Sequence, residues 1–363
     1  MSAMRRVDMQ LLTVVLLLSA IGALAIYSCM RNAGDATSRL TMQLAYIIVG
    51  LAIMTGIMAL DTGKIRGLTW PIYIIVLVLL AIALMMGSVR ETHRWIPIGP
   101  VNIQPAELAK IAVIIMLGAV VSKLEHEEHD FIFLIKTLFY VGAPALLILL
   151  QPDLGTPIVL FFIWLVMMYA LGANSVHLGA FVLAGLLLFA GAWGFGLVRP
   201  HQKARLTAFM HPDDTSQAAS YHLRQSLIAV GSGHLWGQGL FHGVQSQADF
   251  IPDQETDFIF TVIAEELGFV GAASIIVLYA LMLYRGLCIS ASAPTVFDRV
   301  VAAGIVGMLL IEVYVNIGMT IGLAPVKGMA LPFLSYGGSN LLAHMMAVGI
   351  LQSIYMRRDQ IVF

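Results

Sequence analysis

Long apolar runs separated by short polar stretches dominate this chain. A run of about 17–25 apolar residues crosses the hydrocarbon core as a helix. Such runs fall at about 9–29, 40–60, 67–87, 105–122, 132–150, 156–172, 176–196, 258–285, 297–323 and 338–356. The pattern predicts an all-α integral membrane protein, a polytopic bundle of about ten transmembrane helices, organised as a single membrane domain over 1–363. Two runs are interrupted, 105–122 by Glu107 and Lys110 and 258–285 by Glu265, Glu266 and Gly268. The second interruption fits either one span or a short re-entrant or tilted helix followed by a span from Phe269. One long hydrophilic stretch, about 197–257, lies between the seventh and eighth runs. Within it Ser220–Val230 reads as a short amphipathic helix ended by Gly231, and its Trp, Phe and apolar content opposes disorder. No internal repeat supports an inverted-repeat transporter.

Composition narrows the class further. The 363 residues are 59% hydrophobic and 11% charged, with a mean hydropathy of +0.89, whereas soluble domains run near 45–50% apolar and about 25% charged. An ordinary soluble enzyme is excluded. Lys plus Arg number 20 against 21 Asp plus Glu, a net charge of −1, so a nucleic-acid partner is excluded too. With the N-terminus inside, short inner loops hold ten basic residues and short outer loops five (Arg31, Arg39, Arg90, Arg94 and Lys327). That bias places both termini in the cytoplasm and the 197–257 loop outside. Cys29 and Cys288 then sit on opposite faces, too far apart for a disulfide. The run from Met9 exceeds a signal-peptide core, so no cleavable signal is expected.

Polar groups beside spans are expensive and mark candidate sites. In Gln104-Pro-Ala-Glu-Leu-Ala-Lys110, Glu107 and Lys110 share one helix face. Either the helix start at Pro105, with Gln104 and Lys110, holds an anion such as phosphate, or the two charges form an ion pair that tolerates the membrane edge. In Gln151-Pro-Asp-Leu-Gly-Thr156, Asp153 suits a turn and a helix cap. In Ile251-Pro-Asp-Gln-Glu-Thr-Asp-Phe-Ile-Phe260, Asp253, Glu255 and Asp257 are three carboxylates in five residues; Thr256 or Asp257 fits a cap, while a partly desolvated carboxylate here fits a general base. Leu331-Pro-Phe-Leu-Ser-Tyr-Gly-Gly-Ser-Asn340 offers Gly337-Gly338 for a tight turn or a close backbone approach. Glu312 and Asn316, four apart, suit hydrogen bonds between helices. Gly304 and Gly307 fit a lipid-facing groove or plain packing. Lys136 suits a snorkelling role, and Glu125–Asp130 a solvated inner loop. The loop histidines lack metal-ligand spacing.

These clusters together resemble a known family. Arg94-Trp95, Gln-Pro-Ala-Glu-Leu-Ala-Lys110, Gln-Pro-Asp-Leu-Gly-Thr156, Gly-Val-Gln-Ser-Gln247, Thr-Asp-Phe-Ile-Phe260, Ala-Glu-Glu-Leu-Gly268, Val-Asn-Ile-Gly-Met319 and Ser-Tyr-Gly-Gly-Ser339 occur in order over nearly the whole chain. The combination is similar to the SEDS family (shape, elongation, division, sporulation), nearer its elongation members than its division members. The resemblance implies a peptidoglycan glycosyltransferase of the bacterial inner membrane. Such an enzyme polymerises lipid II outside the cell membrane beside a class B penicillin-binding protein and other elongation-complex membrane proteins. It also implies that the essential carboxylate is Asp257, that Glu107 and Lys110 match a functional Glu and Lys, and that Asp153 matches the turn Asp. Gln245, Gln247 and Ser335 fall inside matched motifs as supporting residues. Two departures stand out. Glu255 replaces a common His two residues before the motif acid, and the loop reads Gly-Ser-Gly-His-Leu-Trp-Gly-Gln-Gly239.

The chemistry fits these residue types. A sugar hydroxyl attacks an anomeric carbon that bears a lipid diphosphate, inverting it from α to β. One carboxylate, Asp257, takes the hydroxyl proton, and cations on the diphosphate steady the leaving group. Lys110, oriented by Glu107, the helix start at Pro105, Arg94 and Arg205 are the candidates. Asp153 orders the rim or helps bind a divalent cation, Mg or Mn, for which no ligand set is readable. A flippase or transporter for the same lipid, and a non-catalytic scaffold for the penicillin-binding protein, are the competing readings. The concentration of polar clusters on one face favours catalysis over alternating access.

Overall fold

The computed structural model describes residues 7–32, 34, 36–86, 94–99, 101–124, 130–196, 198, 200–210, 218–248 and 250–358. Arg5, Arg6, Arg90 and Arg199 of the charge count, and Glu125–His129 of the inner loop, lie outside the described residues. Helices α1 (Met9–Cys29), α2 (Ala36–Ala59), α3 (Thr62–Gly67) and α4 (Thr69–Met85) come first. A hairpin of β1 (Ile96–Ile98) and β2 (Val101–Ile103), antiparallel with Ile96 opposite Ile103, leads into α5 (Pro105–Lys123). Next are α6 (Phe131–Leu150), α7 (Gly155–Leu171), α8 (Ser175–Gly194), α9 (Pro200–Met210), α10 (Ala218–Ser232) and α11 (Val244–Gln247). The chain closes with α12 (Ile259–Ala291), α13 (Val296–Thr320) and α14 (Gly338–Arg357).

Each apolar run contains one long helix. Among the described residues seven helices are long and apolar enough to cross a membrane, and α4 and α7 are shorter apolar helices of 17 residues. The chain is a multi-pass membrane protein. Helix α14 is less apolar because Ser339, His344, Gln352 and Ser353 are buried against neighbouring helices. Caps set several boundaries by satisfying orphan N–H groups. Asp8 accepts from Leu11 N at 3.0 Å, Asp130 from Phe133 N at 2.8 Å, and the Thr295 hydroxyl from Asp298 N at 3.1 Å.

The differences from the expected boundaries have local causes. Residues 62–67 form their own short helix, so the third run is helical only from Thr69. Helix α12 is broken at Gly268, with φ 66° and ψ −164°. The interrupted run is thus a short segment followed by a longer one from Phe269. At that break a Cβ would lie 2.3 Å from Gly237 N, so the 231–239 loop reaches the backbone of α12 through facing glycines. The same contact explains why α10 runs through Gly231 to Ser232. It stops where Gly233 meets the Ala264 carbonyl, 2.0 Å from where a Cβ would sit. Gly304 and Gly307 press α13 onto Met167 and Val166 of α7, with would-be Cβ distances of 2.7 and 3.0 Å. They serve packing rather than a groove.

Helices α5 and α13 are enclosed by the others and α8 is nearly all exposed. The two chain ends meet: Asp8 N donates to Gln352 Oε1 and Gln352 Nε2 to Asp8 O, both at 2.9 Å, and Asp8 pairs with Arg285 at 2.7 Å. Both described ends therefore lie at one end of the bundle, as an even number of crossings requires. Cys29 closes α1 at the opposite end, and Cys288 lies near the end of α12; neither forms a disulfide.

Candidate active site

The segment between α13 and α14, residues 321–337, gathers the polar clusters at the end of the bundle away from the termini. Its first partner is the 253–257 turn. Ser335 Oγ donates to Thr256 O and accepts from Leu331 N at 2.7 Å, and Tyr336 N donates to Glu255 O at 2.8 Å. From within α13, Asn316 Nδ2 donates to Asp257 O at 2.9 Å and to Met329 O at 2.6 Å. Asp257 N donates to Asp253 O at 3.0 Å. The backbone of Asp257 is thus pinned on both sides. Its side chain is half-buried, and α12 begins after Phe258 without any side-chain cap. The Thr256 hydroxyl donates to Asp253 O at 3.1 Å, back into the turn rather than toward α12. A Cβ on Gly328 would lie 2.7 Å from Asp257 Oδ2, so glycine lets the 321–337 backbone lie against this carboxylate without pushing it aside.

Lys327, the next residue, reaches the other way. Its Nζ donates to Gly155 O at 2.7 Å in the turn before α7. Burial pushes its ammonium down to about 8, with Lys110 adding to the drop and Asp153 and Glu312 opposing it. Asp153 itself caps α7. Oδ1 accepts from Gly155 N at 2.8 Å and Oδ2 from the Thr156 hydroxyl at 2.8 Å. Among the described residues no group of three or more His, Cys, Asp or Glu can hold a metal. Arg94 donates Nε to Gln151 O at 3.2 Å and Nη2 to Pro152 O, fastening the hairpin approach to this turn. Two of its five N–H donors are thereby used in holding the turn.

The third partner is the start of α5. Gln104 N donates to Ser339 Oγ at 3.0 Å, and Ser339 Oγ to Asn102 O at 3.1 Å. Pro105 and Ala106 are buried, so the start of α5 is covered. Lys110 is 3% exposed and bonds Glu107 Oε2 at 2.7 Å and Glu312 Oε1. Glu312 Oε2 in turn meets His344 Nε2, whose Nδ1 faces Asn340 O at 2.7 Å. Four side chains on α5, α13 and α14 thus form one buried charge network, roughly two helical turns below the mouth. Glu107 orients Lys110 as expected, but a second carboxylate neutralises the lysine, and this favours the ion-pair interpretation. Removing one partner of a buried pair strands the other. Lys110→Met is expected to destabilise the fold by about 3–5 kcal/mol, because Glu107 and Glu312 lose their shared cation. Lys110→Arg, whose larger head must fit the same enclosed space, is expected to rescue stability only in part. Thermal melts of the purified variants check both, and an unchanged midpoint in Lys110→Met contradicts the network.

The remaining candidates occupy the flanks. Arg205 is exposed on α9, and its charge, like that of Asp253, acts on His222 of α10. Glu255 stands 4.0 Å from Arg39, whose guanidinium lies 5.0 Å from the Tyr336 ring centroid. Gln245 and Gln247 belong to a structural joint. Glu265 accepts from Gln245 N at 2.7 Å and Ser246 N at 2.9 Å, and Gln247 Nε2 donates to Ser28 O at 2.9 Å. Sequence reasoning missed Lys327 and His344. Lys327 sits in a loop without periodicity, and its only signal is a basic residue beside a glycine. His344 lies in an apolar run among several other polar residues, with no spacing to mark it out.

Comparison with known proteins identifies the family. The cell cycle protein family FtsW/RodA/SpoVE matches residues 8–360. Peptidoglycan glycosyltransferase MrdB of Escherichia coli strain K12 is 36% identical over 361 residues, covering 98% of this chain and 95% of its own. Rod shape determining protein RodA of Thermus thermophilus superposes with a TM-score of 0.73 at 28% identity, over 98% of each chain. A chain of a peptidoglycan synthase complex, solved to show how polymerisation and crosslinking are coordinated, superposes with a TM-score of 0.81 at 29% identity, over 98% of this chain and 99% of that one. The chain is a member of the FtsW/RodA/SpoVE, or SEDS, family.

Proposed function

We propose that this chain is a peptidoglycan glycosyltransferase that polymerises lipid II into β-1,4-linked glycan strands at the outer face of the bacterial inner membrane. Both termini are cytoplasmic in this reading, and the 197–257 segment faces outward. The observation that carries it is that Gly328 lays the 321–337 backbone against the Asp257 carboxylate while its neighbour Lys327 turns its ammonium toward Gly155 at the start of α7. Asp257 takes the proton of the acceptor sugar hydroxyl as its oxygen forms the new bond to the donor anomeric carbon. The bond from that carbon to the diphosphate breaks with inversion, and its electron pair leaves on undecaprenyl diphosphate. No acid is needed to protonate an anionic leaving group. It needs positive charge instead, and Lys327 takes the place assigned to Lys110, with Arg205 at the approach. Asp153 and Arg94 hold the turn that positions Lys327, while Gln104, Glu107 and Ser335 hold the walls. The partner is a class B penicillin-binding protein that cross-links the strands. It is supported by the likeness to a chain from a synthase complex in which polymerisation and crosslinking are coordinated.

Purified protein in vesicles with labelled lipid II separates this reading from a flippase or a scaffold. Wild type is expected to form polymer without added polymerase. Gly328→Ala forces a Cβ against Asp257 Oδ2, and a displacement near 1 Å costs roughly 100-fold in rate. The variant is expected to lose about that much while melting like wild type. Movement of lipid II across the bilayer without polymer supports the flippase, and neither activity supports the scaffold.

A further inference from the structure

At the end of the bundle away from the mouth, α4, α5 and α6 leave two adjoining hollows of about 280 and 210 Å³. Helix α5 connects the two ends, so Lys123 in its last turn lies roughly 27 Å from Pro105 at 1.5 Å per residue. The hollows share Val120 and Tyr140, open beside Phe139 and Trp70, and are edged by Arg66 and Lys123. Lys136, one turn before Tyr140 on α6, lines the larger one. Among the described residues no carboxylate lines either hollow, and neither Arg66 nor Lys123 is ion-paired to a described residue.

The surroundings are those of an amphiphile. Phe139 is 76% and Trp70 50% exposed on the outside of a membrane-spanning bundle, so lipid chains meet them. The Trp70 ring stands edge-on to Tyr73 and Tyr140 at 6.4 and 6.3 Å, a rigid aromatic wall at the level where headgroups begin. The Tyr73 hydroxyl donates to Tyr140 O at 2.8 Å and holds α4 against α6 beside the cleft. A basic rim over an apolar floor between helices fits the phosphate of an anionic lipid above and its acyl chain below. A soluble anion would leave the floor unused, and a zwitterionic lipid would set a second cation beside Arg66 and Lys123. We infer that this cleft binds an anionic phospholipid, its phosphate at Arg66 and Lys123 and one acyl chain along Val120 and Phe139. The site is separate from the mouth and independent of glycosyl transfer.

Trp70 provides the readout. The full chain is placed in vesicles of one part phosphatidylglycerol to four parts phosphatidylcholine. Bromine is carried on the acyl chains either of the phosphatidylglycerol or of an equal amount of phosphatidylcholine. Fluorescence of Trp70, taken as wild type minus Trp70→Phe, is expected to be quenched preferentially by the brominated phosphatidylglycerol. The relative association should be on the order of fivefold per engaged cation. The preference is expected to vanish in R66Q/K123Q and to persist in R66K/K123R, which keeps the charges and guards against a folding defect. Equal quenching by both lipids in wild type overturns the assignment. So does loss of the preference on adding millimolar inorganic phosphate, which would make the ligand a soluble anion.

Discussion

Alanine at Lys327 is expected to lower kcat/KM for lipid II by about 10²–10³, the usual cost of removing one group that stabilises developing charge. The loss belongs to the chemical step, because the ammonium meets a diphosphate whose charge grows as the glycosidic bond breaks. A lysine carries three donors. One is used on Gly155 O, which aims the head and leaves two for an anion. The pH profile gives this role a signature. Burial holds the Lys327 ammonium at about 8, so it is charged below that pH and neutral above. Since kcat/KM reports the free enzyme, it is expected to fall as pH rises through about 8. Lys327→Arg keeps its charge far beyond that range, so the alkaline fall should disappear even if the absolute rate is reduced. An alkaline limb of the same midpoint in the arginine variant would remove Lys327 from the reaction.

The legible parts of this protein are those governed by local pattern. Ten apolar runs mark the long helices because a bilayer demands continuous apolar surface. The break in α12 shows in the sequence as two acids and a glycine in one run. Ion pairing of Glu107 with Lys110 shows because three residues of helix bring them together. The partners of these groups are less visible. Glu312 and His344 join the same network from α13 and α14, more than two hundred residues along the chain from Lys110, and no spacing rule links them. Lys327 was counted only as a loop charge for orientation, since a loop carries no period to show which way a side chain points. The 96–103 hairpin, with two strands of three residues, is too short to show alternation. Arg94 at the outer surface suggests an anion ligand, but no spacing shows that it also holds the carbonyls of Gln151 and Pro152. The general lesson is physical. The apolar pattern fixes which segments are buried, while the assignment of each polar group depends on contacts closed by the fold.

Asp257 carries the largest effect. Asparagine there keeps size and shape, and its backbone remains held by Asp253 O and Asn316, so the fold and the binding of lipid II should persist. What disappears is the acceptor for the hydroxyl proton, worth about 10²–10⁴ in rate for a positioned base. Its second sphere is already set by Gly328 on one side and the Asn316 brace on the other, and a water in place of the carboxylate has no such orientation. The decisive measurement is polymer yield from labelled lipid II with purified wild type and Asp257→Asn, alongside lipid II binding on the same preparations. Wild-type binding with polymer reduced at least 100-fold is the predicted outcome; polymer formed by Asp257→Asn at the wild-type rate contradicts the account.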